Sequence, residues 1–129
     1  MKFYYLALLP AKDKEFPYSI HGLWPQEGVH KWRACPKGGH TFDIERLHGL
    51  LSQLHADWHS SRGTDEHFWK HEWEKHGSCM QEQIGIDEFT FFNTTLQLFL
   101  ENTKLLENCE NDDCIVGCFD LDFKKINCE

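Results

Sequence analysis

The amino-acid sequence predicts an α+β domain in which helices flank a central antiparallel β-sheet. Apolar β-forming runs occupy both ends of the chain, and segments with helical apolar spacing occupy its middle. Six cysteines in 129 residues, an even number, favour three disulfides over a zinc site and predict a disulfide-stabilised fold. The length and a 40% hydrophobic, 26% charged composition predict one domain over residues 1–129.

The N-terminal part of the chain is expected to supply two strands. Residues 2–9 form the first, which Pro10 ends, and residues 17–24 form the second. The first apolar run is only about seven residues long and no small-residue cleavage site follows it, so we interpret it as a strand and not as a signal peptide. Residues 27–40 contain three glycines and a proline and are expected to form a loop.

Three helices are predicted for the middle of the chain. Thr41 or Asp43 can cap the first, which Ser60–Asp65 breaks, and Asp87 can cap the third. One face of the first carries Ile44, Leu47, Leu50, Leu51 and Leu54, and one face of the third carries Phe89, Phe92, Leu96, Phe99, Leu100 and Thr103. Both faces are expected to pack in the core. Apolar and polar residues alternate in the segment Cys114–Cys128, which predicts a C-terminal hairpin.

The second helix, predicted from about Glu66 to His76 and ended by Gly77, holds the densest group of reactive side chains. The group consists of His71, Glu72, Lys75 and His76. Members four residues apart fall on adjoining stripes, so all four are expected on one broad face of the helix. A zinc protease helix would need His-Glu-x-x-His, but Lys75 stands at the fifth position and its ammonium would repel a metal ion. We therefore predict a site without a metal or other cofactor.

A third imidazole, His21, lies in the segment Ile20–Pro25 beside the indole of Trp24. Cleavage of RNA through its own 2′-OH needs a base, an acid and stabilisation of the crowded phosphorane. Imidazoles suit the first two tasks because they titrate near neutral pH, and Lys75 with the third imidazole suits the last. Indoles near such a site can stack the bases of a single strand.

The charge of the chain narrows the classes of partner. A formal net charge of −8 argues against a protein that binds duplex DNA by neutralising phosphates. Nine histidines would offset that charge if protonated, which favours action on a polyanion below about pH 6. The histidines outside the two segments are expected to be surface or capping residues: His30, His40, His48, His55, His59 and His67.

Each segment alone also fits a structural role, as a packed indole or as ordinary pairs on a helix surface. The presence of both in one chain favours catalysis on single-stranded RNA. Two other function classes stay open, a non-catalytic RNA- or protein-binding, toxin-like protein on the same scaffold and a zinc-dependent hydrolase. No apolar run approaches the roughly 20 residues that cross a bilayer, so we expect no membrane partner, and we expect a monomer.

The segments Ile20–Pro25 and Phe68–Cys79 resemble the two active-site segments of the ribonuclease T2 family in sequence, order and separation. Residues 3–9 are similar to the first strand of that family, Phe42–Trp58 to the helical region before the second segment, and Cys118–Cys128 to the C-terminal hairpin. The resemblance implies a ribonuclease T2-like fold and an endoribonuclease that needs no metal. This chain would be a short, trimmed member with a more open cleft.

The resemblance implies that His21 and His76 form the acid–base pair. We favour His76 as the base for the 2′-OH and His21 as the acid for the leaving oxygen, with the reverse assignment open. The implied product is a 2′,3′-cyclic phosphate, and its later hydrolysis to a 3′-phosphate is left open.

The remaining site residues take their implied roles from the same resemblance. His71 would bind the phosphate, and Glu72 with Lys75 would stabilise the transition state. Trp24 would help to form the base pocket. Gln26 stands where the family commonly has an aspartate that helps to choose the base, so a base preference cannot be transferred.

The cysteine pairs are also implied by the resemblance. They are Cys35–Cys79, Cys118–Cys128 and, as the pair that remains, Cys109–Cys114. Three disulfides predict a secreted protein or one from another oxidising compartment.

Overall fold

The computed structural model contains a five-stranded sheet and a set of helices. It describes residues 2–10, 18–27, 30–31, 41–60, 62–102 and 114–127. The strands are β1 (Lys2–Pro10), β2 (Tyr18–Glu27), β3 (His30–Lys31), β4 (Cys114–Phe119) and β5 (Lys125–Ile126). The helical segments are a 3₁₀ helix (Ile44–Leu50), α1 (Leu51–Asp57), α2 (Asp65–Glu72), a π-helical turn (Trp73–Gly77), α3 (Ser78–Ile84) and α4 (Glu88–Asn102).

The strands lie in the order β3-β2-β1-β4-β5, and neighbouring strands run antiparallel. The central strand buries alternate side chains, Tyr4, Leu6 and Leu8, against the helices because successive residues of a strand face opposite sides. The predicted α+β fold with a central antiparallel sheet is therefore confirmed. The predicted loop is wrong at one point, since His30 pairs with Glu27 and extends the sheet.

The first predicted helix is capped by Asp43, whose carboxylate accepts a hydrogen bond from the Glu45 N–H at 3.1 Å. The segment begins as a 3₁₀ helix and becomes α-helical at Leu51. Its apolar face reaches the core as predicted, with three leucines fully or almost fully buried: Leu47, Leu50 and Leu54. Asp43 therefore decides where this helical segment begins.

The second predicted helix continues well beyond its expected end. The prediction that Gly77 stops it is wrong, because α2, the π-helical turn and α3 run on without a break from Asp65 to Ile84. A Cβ atom at Gly77 would lie 2.3 Å from the Trp73 ring and 3.1 Å from the Phe91 ring, so this glycine serves close packing. The helix ends at Gly85, whose φ of 71° is left-handed.

The third predicted helix, α4, is capped as expected, since Asp87 accepts a hydrogen bond from the Thr90 N–H at 2.9 Å. Its apolar buried residues are Phe91, Phe92, Leu96, Leu98 and Phe99. The prediction is wrong for Phe89 and Leu100, which are exposed because the buried arc is centred further round the helix. Thr103 lies outside the described residues.

The C-terminal hairpin is confirmed, with Cys118 opposite Ile126 across β4 and β5. The carboxylate of Asp120 closes the turn by accepting hydrogen bonds from the Asp122 and Lys124 N–H groups. Within the described ranges, no helix combines the length and the apolar character that crossing a membrane requires.

Candidate active site

His21 sits in an irregularity of the sheet. Ala7 of β1 pairs with Gly22 and the next residue, Leu8, pairs with Ile20, so His21 is an extra residue in β2 without an opposite number in β1. A bulge of this kind bends the strand and redirects the side chain, and bulges often occur beside active sites. His21 is consequently presented at an angle that a regular strand would not give it.

The backbone of this bulge is tied to the end of the first helical region. The indole N–H of Trp58 donates a hydrogen bond to the His21 carbonyl at 3.1 Å. Two residues earlier in β2, the Ser19 hydroxyl donates a hydrogen bond to the Asp57 carbonyl at 2.9 Å. Trp58 is fully buried, and a buried indole N–H usually bonds an acceptor inside the protein. These two bonds fix β2 to the C-terminal end of α1.

Glu72 and His76 form the buried half of the second segment. Glu72 is the last residue of α2 and His76 lies in the π-helical turn, and the two residues are 2% and 5% exposed. Glu72 Oε1 lies 3.9 Å from His76 Nε2. π-Helical turns are rare and frequently mark functional sites, and this one carries the buried imidazole.

Trp24 joins the two segments. Its indole N–H donates a hydrogen bond to Glu72 Oε1 at 3.0 Å. Its ring stacks on the His76 imidazole, with centroids 5.3 Å apart and planes 25° apart, and it meets the His21 imidazole edge-on at 4.9 Å. The ring of Phe68 lies 5.9 Å from His21 on another side. One indole therefore contacts both imidazoles and the carboxylate.

His71 and Lys75 of the second segment are exposed. The His71 side chain is 59% exposed, and its Nε2 lies 4.0 Å from Glu72 Oε2. The four predicted residues of this helix are thus divided between two environments. Glu72 and His76 are buried, while His71 and Lys75 are exposed to solvent.

Gln26 and the cysteines complete the predicted site list. Gln26 is almost buried in β2, two residues beyond Trp24. Cys79 and Cys118 are buried and disulfide-bonded, but their predicted partners lie outside the described residues, so the pairing stays a prediction. Those partners are Cys35 and Cys128, and Cys109 lies outside as well, whereas Cys114 is described only as the first residue of β4.

Among the described residues, no group of three or more His, Cys, Asp or Glu side chains is arranged to hold a metal ion. The surface placement predicted for histidines outside the two segments is confirmed for His48, His55 and His67, and His59 is half-buried.

Three residues that position the site were missed in the sequence. They are Gly22, Trp58 and Phe68. Gly22 and Phe68 lie inside the two segments, so their proximity in sequence to the predicted site residues could have indicated them. Trp58 had no such signal, because its role depends on where the end of α1 meets the bulge in β2.

The family model of ribonuclease T2 matches residues 5–115. The chain belongs to the ribonuclease T2 family. It is 36% identical over 98 residues to ribonuclease T2 of Sus scrofa, a match that covers 70% of this chain and 46% of that protein. It is 43% identical over 69 residues to ribonuclease MC of Momordica charantia, which covers 53% of this chain and 36% of that protein.

Solved structures agree with this assignment. The fold is similar to that of a substituted RNase MC1, a protein from bitter gourd seeds, in complex with 5′-GMP. The TM-score is 0.67 at 27% identity, over 79% of this chain and 59% of that chain. The chain spans less than half the length of the two curated relatives named above.

Proposed function

We propose that this chain is an endoribonuclease that cleaves single-stranded RNA by acid–base transphosphorylation without a metal ion or other cofactor. The observation that carries the proposal is the contact of two imidazoles, His21 and His76, with one indole beside a buried carboxylate. Membership of the ribonuclease T2 family supports it, as does the nucleotide complex of RNase MC1. Because the chain spans only part of its relatives, the activity must be measured on this chain itself.

In the proposed reaction, His76 takes the proton of the 2′-OH and the 2′-oxygen attacks phosphorus. The bond from phosphorus to the 5′-oxygen then breaks, and His21 donates a proton to that oxygen. The products are a 2′,3′-cyclic phosphate and a strand with a free 5′-OH. The Glu72 carboxylate, 3.9 Å from His76, favours the imidazolium that forms when His76 takes the proton.

The proposed roles of His71 and Lys75 follow from their exposure. Both side chains are exposed, and we assign His71 as a phosphate contact and Lys75 as a positive charge beside the phosphorane. Protonation of exposed imidazoles below about pH 6 would also offset the formal charge of −8, so activity is proposed to favour mildly acid pH. Base contacts are proposed for Trp24 and Gln26, and cleavage rates on a series of dinucleotides would measure the preference.

The test is cleavage of a fluorescent single-stranded RNA in EDTA between about pH 4 and 8. We expect the wild type to cleave in EDTA and His21→Ala and His76→Ala to lose about 10²- to 10⁴-fold in kcat each. His48→Ala, an exposed histidine on the 3₁₀ helix, is the matched control and should keep full activity. Unchanged cleavage by both site variants would reject the mechanism. Loss of activity in EDTA would favour a zinc hydrolase, and RNA binding without cleavage would favour a non-catalytic protein.

A modified substrate separates the acid from the base. Replacing the bridging 5′-oxygen by sulfur gives a leaving group that needs no general acid. We expect His21→Ala to recover most of its lost activity on this substrate and His76→Ala to recover none. Recovery by His76→Ala alone would reverse the two roles.

The environment and assembly of the chain are also proposed. We infer a secreted or otherwise oxidising location, a monomer, and the cysteine pairs Cys35–Cys79, Cys118–Cys128 and Cys109–Cys114. The disulfide-bonded state of Cys79 and Cys118 supports the location. Mass spectrometry of unreduced proteolytic peptides would test the pairs, and light scattering after size exclusion would test the monomer.

A further inference from the structure

Trp24 contacts both imidazoles and donates a hydrogen bond to the Glu72 carboxylate. We propose that Trp24 is a positioning residue that holds Glu72 and His76, and that Gly22 provides the space this arrangement needs. The inference rests on the proposed ribonuclease function for its kinetic consequences. It assigns to Trp24 a task that differs from forming a pocket for the base.

The hydrogen bond from Trp24 to Glu72 fixes the carboxylate. The N–H to Oε1 distance is 3.0 Å, and the carboxylate is only 2% exposed. A buried carboxylate needs partners because water cannot solvate it, and a bond to a charged acceptor is about twice as strong as a neutral one. The atom that accepts this bond, Glu72 Oε1, is also the atom that lies 3.9 Å from His76 Nε2. Removing the indole N–H therefore makes the position of Glu72 Oε1 relative to His76 less fixed.

The ring contacts of Trp24 fix the imidazoles. His76 stacks against the indole with planes 25° apart, whereas His21 meets it edge-on with planes 76° apart. The face of an indole attracts cations, so stacking favours the protonated form of His76 that the proposed first step produces. Trp24 thus touches both members of the acid–base pair as well as the carboxylate.

Gly22 makes room for this hydrogen bond. A Cβ atom at this position would lie 2.2 Å from Glu72 Oε1 and 2.6 Å from Trp24 Nε1, which are the two bonded atoms. Positive φ is found only at Gly63 and Gly85 among the described glycines, so the backbone at Gly22 is open to alanine. The requirement for glycine is therefore one of space and not of backbone conformation.

Two variants and one control test the proposal. Trp24→Phe keeps an aromatic ring but removes the N–H, and Gly22→Ala adds one methyl group against the bonded pair. Gly117→Ala in β4 is the control, because a Cβ there would have its nearest neighbours at 3.7 Å. We expect both test variants to lose about 10- to 100-fold in kcat with KM changed less than about threefold, and Gly117→Ala to match the wild type.

A measurement without RNA separates this inference from the proposed function. In ¹H–¹⁵N spectra, the indole N–H signal of Trp24 should shift in Gly22→Ala and in Glu72→Gln, while that of Trp69, which donates to the backbone carbonyl of Trp58, stays in place. An unmoved Trp24 signal in both variants would overturn the inference, and so would a raised KM with unchanged kcat in Trp24→Phe. If the wild type does not cleave RNA, the proposed function fails while the spectra still decide the inference. If Gly22→Ala does not fold, Trp24→Phe and Glu72→Gln decide it.

Discussion

Glu72 and Glu88 are both buried glutamates, 2% and 1% exposed, yet they have different surroundings. Glu72 lies within 4.0 Å of two imidazole nitrogens and accepts a hydrogen bond from an indole. Glu88 accepts a hydrogen bond from the Asp43 backbone N–H at 2.8 Å and lies 3.8 Å from the Arg46 guanidinium. Imidazoles exchange protons near neutral pH, whereas a peptide N–H and a guanidinium do not.

The difference teaches that burial alone does not identify a catalytic carboxylate. Glu88 closes the contact between the start of α4 and the residue that caps the 3₁₀ helix, which is a structural task. Glu72 faces two imidazoles, to which we assign proton transfer. The nature of the partners distinguishes the two residues, and the following predictions test that distinction.

The largest effect is expected for removal of the charge at each glutamate in turn. Glu72→Gln should lower kcat for RNA cleavage by about 10²- to 10³-fold, because the imidazolium on His76 loses its counter-charge. Glu88→Gln should leave kcat within about twofold of the wild type. Steady-state kinetics on single-stranded RNA measure both. Equal losses in the two variants would remove the distinction between catalytic and structural carboxylates.

The sequence pattern associated Glu72 with His76, whose atoms Oε1 and Nε2 lie 3.9 Å apart, and it did not single out Glu88. Glu72 is flanked by reactive residues one and four positions away, so a helical reading was enough to associate it with His76. The partners of Glu88 come from about 45 positions earlier in the chain, at Asp43 and Arg46. No local sequence pattern predicts the contact of Glu88 with Asp43 and Arg46, because that contact depends on how two helical segments pack.

A second prediction concerns Gly77, which lies between the helix that carries Glu72 and the helix that carries Glu88. Gly77→Ala should cost about 1–3 kcal/mol in the free energy of unfolding, because the new methyl group would meet the Trp73 ring at 2.3 Å. It should also lower kcat, since His76 is the preceding residue. Urea unfolding and RNA cleavage are the measurements.

Gly49→Ala is the matched control for Gly77→Ala. A Cβ atom at Gly49 meets nothing within 4 Å, so alanine there should be neutral or slightly stabilising. Equal stability of the two variants would mean that the contact at Gly77 relaxes without cost and that the two helices are not held tightly there.

A third prediction concerns Trp58, which links the bulge at His21 to the aromatic core of α4. Trp58→Phe loses the N–H that bonds the His21 carbonyl, and we expect a cost of about 1–2 kcal/mol in stability with a lower kcat. The Trp58 ring also lies 4.9 Å from Phe92. Urea unfolding and pH–rate profiles are the measurements.

Trp73→Phe is the control for Trp58→Phe. The indole N–H of Trp73 is buried and has no hydrogen-bond partner among the described residues, so its removal leaves no acceptor unpaired there. We expect Trp73→Phe to lose less stability than Trp58→Phe. The opposite order would show that ring volume, and not the bond to the bulge, dominates both positions.

The bulge and the π-helical turn are the parts of the site that the sequence could not predict. A bulge depends on the register between β1 and β2, which is set by the whole strand pair and not by His21 itself. The π-helical turn could not be predicted because a glycine is typical of a helix end. In the structure, Gly77 is instead required for space beside Trp73 and Phe91. The sequence therefore indicated which residues to consider, but it did not indicate the directions in which the side chains of His21 and His76 point.

A fourth prediction uses Asp87, the neighbour of Glu88. The hydrogen bond from the Thr90 N–H lowers the pKa of Asp87 below its ordinary value of 3.8. Its contribution to stability is therefore present above about pH 3.8 and is lost as the pH falls through the lowered pKa. Asp87→Ala should cost about 1 kcal/mol near neutral pH with RNA cleavage unchanged. Thermal unfolding at several pH values checks this, and a loss of activity would contradict the separation of the two regions.

The smallest effect is expected for the stability of Glu88→Gln as a function of pH. Burial raises the pKa of Glu88 above its ordinary value of 4.5, and the Asp43 N–H and Arg46 oppose that rise only in part. The folded state therefore holds the proton more tightly than the unfolded chain. The contribution of Glu88 is fully present below about pH 4.5 and is lost as the pH rises through the raised pKa.

Glutamine keeps an acceptor for the Asp43 N–H and carries no charge at any pH. Glu88→Gln should therefore be slightly more stable than the wild type near neutral pH, by less than the roughly 1 kcal/mol expected for the Asp87 cap. The difference should shrink as the pH falls through the raised pKa of Glu88, because Glu88 itself then takes up a proton. A variant less stable than the wild type near neutral pH would mean that Arg46 and the start of α4 stabilise the charge of Glu88 more than burial opposes it.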